Sequence, residues 1–289
     1  MAGDGDVALV RPRLDGFRSF ILLHGAVRSW LWLRYNEHLG PEALLLSAAG
    51  LSVCFALTLV PRFAHVAARA ALPFLALQLF LTFPLTDNHF MLELLCVVLL
   101  ALIGGNDGAT DRALTLASLR WLAAIVLFHT GLQKVLYGHY FGGEFLAFMV
   151  AVGDRFADIF QPFIPAGEIA RLESYDPMQT GAGPFRVSYL PLVAVSNAVY
   201  LAELVLPALL IWQRTRTLAL IATTAFLLAI QLGARELGFA LLFVNLLLLF
   251  SPVELNRRLL PLFAAIYLYG LAAALGVAPG GGWLEPGYL

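Results

Sequence analysis

The sequence predicts an all-α, polytopic membrane bundle of about nine transmembrane helices with one long outward-facing loop. Three observations lead there. Hydrophobic residues fill 60% of the 289 positions, and the mean hydropathy is +0.82. Charged residues are 13%, about half the roughly 25% of a soluble domain, too few to cover a water-facing surface. Apolar runs approaching the ~20 residues needed to cross hydrocarbon recur along the chain, separated by Pro, Gly and polar clusters.

The same totals exclude other classes. A net charge of −1 gives nucleic acid no electrostatic footprint. Cys54 and Cys96 stand in apolar runs without CxxC or His-rich spacing. They read as small core residues, not as a disulfide or a zinc site. The opening residues are acidic and His24 and Arg28 interrupt the first apolar run, which is not the pattern of a cleavable signal. With no internal repeat evident, residues 1–289 read as a single transmembrane domain.

In chain order, residues 1–14 are expected to be a polar cytoplasmic tail. Residues 17–33 form the first helix, with Phe17, Phe20, Ile21, Val27 and Leu31 at helical spacing and Trp30, Trp32 and Tyr35 as an aromatic belt. Pro41 opens a span over 43–60, closed by Pro61. A third span covers 66–85. The loop Thr86, Asp87, Asn88, His89 precedes a short span, 90–103, that carries Glu93. A Gly-rich turn at 104–108 leads to the fifth span, 114–137. Residues 140–152 are apolar but too short to cross, and read as a re-entrant or interfacial helix. Residues 153–187 are the long loop, with short amphipathic helices expected in it. Four more spans follow at 189–212, 217–233, 236–250 and 260–277, then a Gly- and Pro-rich tail, 278–289.

Charge orients this path. If 17–33 crosses, Arg11, Arg13, Arg62, Arg69, Arg112, Arg120, Arg214, Arg216, Arg257 and Arg258 fall on one side, against little beyond Arg34 and Arg235 in the short connections of the other. Cytoplasmic loops carry the arginine and lysine excess, so the N-terminus is expected in the cytoplasm, with the C-terminus and the 153–187 loop outside.

Residues 121–146, WLAAIVLFHTGLQKVLYGHYFGGEFL, hold the densest polar cluster of any span. Intramembrane ionisable groups are costly and so mark functional or paired sites. The topology gathers His89, Glu93, His129, Gln133, Lys134, Tyr137, His139, Glu144, Asn197, Glu203 and Arg235 toward the outer half, where one polar cavity beneath the loop is expected. An amine deprived of water gives up its proton more readily, which suits Lys134 to general-base work, or it simply snorkels to the headgroups. His129 faces roughly 140° away from Lys134 around the helix and aligns with Gln133. His89 and Glu93, four apart, read as an acid–base or orienting pair, or as a structural hydrogen bond. Ser196, Tyr200 and Glu203 share a stripe, and Glu203 is expected to be protonated or paired with a cation such as Arg28 or Arg235. Gly131, Gly138, Gly142 and Gly143 suit close helix approach and a chain reversal. No metal site is demanded by spacing, and no Ser-His-Asp order, phosphate loop, HExxH or haem signature is present.

At Phe128-His129-Thr130-Gly131-Leu132-Gln133-Lys134, followed by Tyr140 and Gly142-Gly143, the chain resembles the vitamin K-dependent γ-carboxylase family, in particular its bacterial "horizontally transferred transmembrane" (HTTM) branch. Gly16-Phe17-Arg18 and the turn from Gly104 to Asp111 are similar to that family's opening and its polar turn. The resemblance implies that Lys134 is the base toward a reduced, vitamin K-like quinone as cofactor. Gln231 stands near the place of a histidine the family often carries. The chain also ends soon after its last span, which favours a quinone-type or other lipid-soluble substrate over a peptide. The expectation is therefore a quinone-linked, carboxylase-like lyase or oxidoreductase with membrane lipid as its surroundings. Two alternatives stand beside it: a non-catalytic subunit or lipid/quinone-binding module similar to the small DoxX-like membrane proteins, and a small proton-coupled transporter using Glu203 and Lys134.

Overall fold

The computed structural model describes residues 4–35, 40–84, 86, 88–103, 108–151, 160–174, 187, 189–234 and 237–278. All regular elements among them are helical. The α-helices are α1 (Asp4–Tyr35), α2 (Pro41–Thr58), α3 (Ala64–Thr82), α4 (Asn88–Ala101), α5 (Ala109–Tyr137), α6 (Glu144–Ala151), α7 (Ala166–Glu173), α8 (Leu190–Ile211), α9 (Arg216–Ala234), α10 (Leu237–Leu247) and α11 (Val253–Ala274). A single 3₁₀ turn, Gln161–Phe163, precedes α7.

Four of these helices, α2, α3, α5 and α8, are long and apolar enough to cross a membrane. Much of their exposed surface is apolar, as at Leu46, Phe80, Ile125 and Leu201, each at least half exposed. A helix apolar on its exposed face as well as its packed face belongs in lipid. Within the described residues four of the other expected spans give shorter apolar stretches, at Asn88–Ala101, Arg216–Ile230, Gly238–Leu247 and Pro261–Ala272. The helix in the fourth span has 14 residues and α10 has 11, or about 21 and 16 Å of rise. Described helices meeting both criteria thus number four, against the about nine expected from apolar runs.

The largest boundary difference is at the start. The expected tail is helix from Asp4, and α1 runs 32 residues with Pro12 inside it. Val10, Leu14, Phe17 and Ile21 are all buried. Their spacing continues the apolar stripe of the first span backward by nearly two turns, so packing carries the helix through the polar composition. At α2, Pro41 sits in the first turn, where its missing N–H costs nothing.

The helices cluster into two compact units. The first comprises residues 1–121 and 236–289. Here α1 packs against α2, α3, α4, α10 and α11, with α2 on α3, α3 on α4 and α4 on α10. A buried stripe on α3, Ala67, Ala71, Leu75 and Gln78, shows how small residues admit neighbouring helices. The second unit comprises residues 122–235. In it α8 packs on α9 and on α6, and α6 on α7. Leu146, Ala147, Val150, Ile164, Leu172 and Leu192 form its core cluster. As expected, 140–152 yields only a short helix, the eight residues of α6, and the 153–187 segment contains short helical pieces.

Candidate functional site

The second unit carries a cation–carboxylate pair. Lys134, in the last turn of α5, places Nζ 2.7 Å from both Oε1 and Oε2 of Glu203 on α8. The side chains are 20% and 6% exposed. The close approach depends on Gly131, one turn before Lys134. A Cβ there would lie 2.8 Å from Glu203 Cβ and 3.1 Å from its carbonyl carbon. The ring of Tyr140 lies 5.3 Å from Lys134 Nζ, within cation–π range.

The chain reverses just after the lysine. Gly138 and Gly143 take φ of 75° and 77°, a conformation that side-chain-bearing residues seldom adopt. The reversal is clamped to α8. Ser196 Oγ donates to the Tyr140 carbonyl at 2.8 Å, and Asn197 Nδ2 to the Phe141 carbonyl at 3.0 Å. Tyr200 Oη donates to Asn197 Oδ1 at 2.8 Å. The stripe of Ser196, Tyr200 and Glu203 therefore faces the motif stretch. Glu144 half-buries beside the same turn and accepts the Gly142 N–H at 3.1 Å.

His129, Gln133, Tyr137 and His139 are exposed. The expected cation for Glu203 was Arg28 or Arg235. Lys134 takes that place, because Gly131 brings α5 close enough for its ammonium to reach. Arg235 and Asp87 lie outside the described residues, as does the side chain of Gln231.

The first unit holds a larger polar assembly. Arg28 Nε donates to Glu93 Oε2 at 2.6 Å and Nη2 to Glu93 Oε1 at 3.3 Å. Nη2 also donates to Gln78 Oε1 at 2.8 Å. Gln78 Nε2 donates onward to Ser29 Oγ at 2.6 Å, and Ser29 to the Gly25 carbonyl at 2.6 Å. The guanidinium lies 4.4 Å from the Trp32 ring and 4.5 Å from the Phe90 ring. Such a planar, weakly hydrated cation tolerates apolar surroundings better than an ammonium. Glu93 is 1% exposed. Glu93, expected beside His89, is thus bound by Arg28 from α1, while the His89 ring lies against Phe239 with centroids 4.5 Å apart and planes tilted by 31°.

Nearby in the same unit, His24 Nδ1 lies 3.1 Å from Tyr267 Oη, which accepts from Asn245 Nδ2 at 2.7 Å. All three side chains are buried. Sequence reasoning passed over Gln78, Asn245 and Tyr267. The available signal was an amide standing alone in an apolar helix, since a neutral polar group in hydrocarbon also needs a partner.

Among the described residues no three His, Cys, Asp or Glu side chains are grouped to hold a metal ion. Chemically, the Lys134–Glu203 pair can store and relay one proton, and the Arg28 network fixes charge in place. Compared with known proteins, the chain matches no family model, no curated protein and no solved structure.

Proposed function

We propose that this chain is an integral membrane enzyme that crosses the bilayer about nine times, with its N-terminus cytoplasmic and its C-terminus and 153–187 loop outside. Lys134 and Glu203 form its acid–base centre, acting on a quinol or lipid-like substrate. The observation that carries this is the two-pronged contact of 2.7 Å between an ammonium and a carboxylate on helices apolar enough to lie in lipid. Ionisable groups are retained in such helices where they bind or move charge.

The proton accounting is simple. A substrate hydroxyl gives its proton to the lysine nitrogen as the lysine passes one to the Glu203 carboxylate. The products are the substrate anion, a neutral carboxylic acid and an ammonium still positioned beside the new anion. The resemblance of residues 128–134 to the γ-carboxylase motif supplies the substrate class, a reduced quinone of the vitamin K type.

A second reading has its own support. Each partner of the pair already satisfies the other, as in an ion pair that only holds two helices together. The protein would then be a non-catalytic lipid- or quinone-binding subunit. Purified protein incubated with a reduced naphthoquinone in air, with products resolved by chromatography and the oxidation by oxygen in protein-free controls subtracted, separates the two. The enzyme reading expects Lys134→Ala, Lys134→Arg and Glu203→Gln all to abolish quinol consumption while Lys134→Arg still melts like the parent. Full consumption by folded Lys134→Ala ends it. Binding of the naphthoquinone without turnover in the parent protein establishes the second reading instead.

A further inference from the structure

A cavity of about 490 Å³ opens at the other end of the first unit, where the N-terminal part of α1 meets the α2–α3 turn and the ends of α4 and α5. Its wall carries Arg11, Arg18, Arg62, Arg69, Arg112 and His65, and Asp15 is the acid among the lining residues. Asp15 is shared. Arg18 Nη1 reaches it at 2.8 Å and Arg11 Nε at 3.6 Å. Arg69 directs Nε to the Ala101 carbonyl at 2.8 Å, a neutral acceptor.

Arg18 is the informative member. It is 5% exposed, and its buried Nε has no hydrogen-bond partner. A buried guanidinium with a spare donor, among other guanidiniums lining a cavity, can receive an anion. Planar forks of this kind match phosphate oxygens in pairs.

The chain neighbours of the lining residues point to the kind of phosphate. Leu59, Val60 and Phe63, which bracket Arg62 in the α2–α3 turn, are exposed, and Leu102 at the end of α4 is 72% exposed. Leu14 and Ile103 add apolar lining inside. Cations lining the cavity, with exposed apolar side chains next to them in the chain, fit a headgroup and its acyl chains together; a soluble anion needs only the former. Basic pockets between helix ends on the arginine-rich side of a membrane protein are suited to anionic headgroups.

We propose that this cavity binds the phosphate headgroup of an anionic membrane lipid. The proposal requires the chain to lie in a membrane but is independent of any chemistry at Lys134. It is tested on the full chain in detergent by native mass spectrometry and thermal unfolding, titrating dioctanoyl phosphatidic acid, dioctanoyl phosphatidylcholine and inorganic phosphate. Phosphatidic acid should bind about tenfold or more tightly than phosphatidylcholine and raise the melting temperature. Arg11→Gln with Arg62→Gln should weaken it about tenfold or more while leaving the ligand-free melting temperature in place. Should the double variant not fold, Arg62→Gln alone carries the same expectation at smaller size. Equal binding of both lipids, or undiminished phosphatidic acid binding in a folded variant, overturns the proposal. Displacement of the lipid by inorganic phosphate at matching concentration keeps a phosphate site but overturns the lipid as its occupant.

Discussion

Arg28 with Glu93 and Lys134 with Glu203 are both cation–carboxylate pairs between apolar helices, yet they are held differently. Arg28 is tied to Glu93 and to Gln78, with Ser29 beyond, and is flanked by Trp32 and Phe90. Lys134 has one carboxylate and one aromatic ring, and is 20% exposed. A guanidinium spread over several fixed partners is a structural fastener. An ammonium with one partner and an open side can exchange a proton without dismantling its surroundings. The two pairs show how the same charges serve rigidity or reactivity according to how many neighbours restrain them.

Removing each carboxylate tests that contrast most directly. Glu93→Ala strands a buried guanidinium and should cost about 3–5 kcal/mol, read as lost folded protein or a lowered unfolding midpoint in detergent. Replacing both partners, Arg28→Met with Glu93→Leu, should recover most of that loss. Glu203→Ala should cost less, about 2–3 kcal/mol, because Lys134 sits in the last turn of its helix and can extend toward the headgroups. Equal losses at the two sites would erase the distinction. Gly131→Ala forces α5 and α8 apart at the pair and should cost about 1–2 kcal/mol, with any Lys134-dependent activity falling more than stability does. The smallest effect is expected at Gln78→Leu, about 0.6 kcal/mol, the typical worth of a hydrogen bond between membrane helices. A loss as large as that of Glu93→Ala would mean that Gln78, not Glu93, anchors the guanidinium.

Much of this was legible in the sequence, for identifiable reasons. Helix-spaced apolar runs bounded by Pro and Gly placed α2, α3, α4, α5 and α8 to within a few residues, because burial period and breaker chemistry are local properties. Gly131, Gly138 and Gly143 were legible as approach and reversal points, since a glycine in a span admits a neighbouring helix and glycines after it permit positive φ. A carboxylate inside an apolar run implied either a protonated group or a cationic partner, and Lys134 lies in contact with Glu203. The partner itself was not legible. An i, i+4 rule relates residues on one helix, while Arg28 and Glu93 lie 65 apart and Lys134 and Glu203 lie 69 apart. Which helices touch decides such pairings, and no periodicity reports it. The start of α1 was obscured differently. Arginines, prolines and acids mask a stripe whose buried members, Val10 and Leu14, become evident only once the packing is seen.

One helix carries both arginine-centred assemblies of the first unit. At 32 residues, α1 is about 48 Å long, against a hydrocarbon slab of about 30 Å. Arg18 and Arg28 lie on it roughly 15 Å apart along its axis. That interval works as a fixed gauge of depth. If the arginine-lined cup rides among the headgroups of one leaflet, the Arg28–Glu93 knot is carried to the middle of the slab, and a thinner or thicker bilayer must move the two in step.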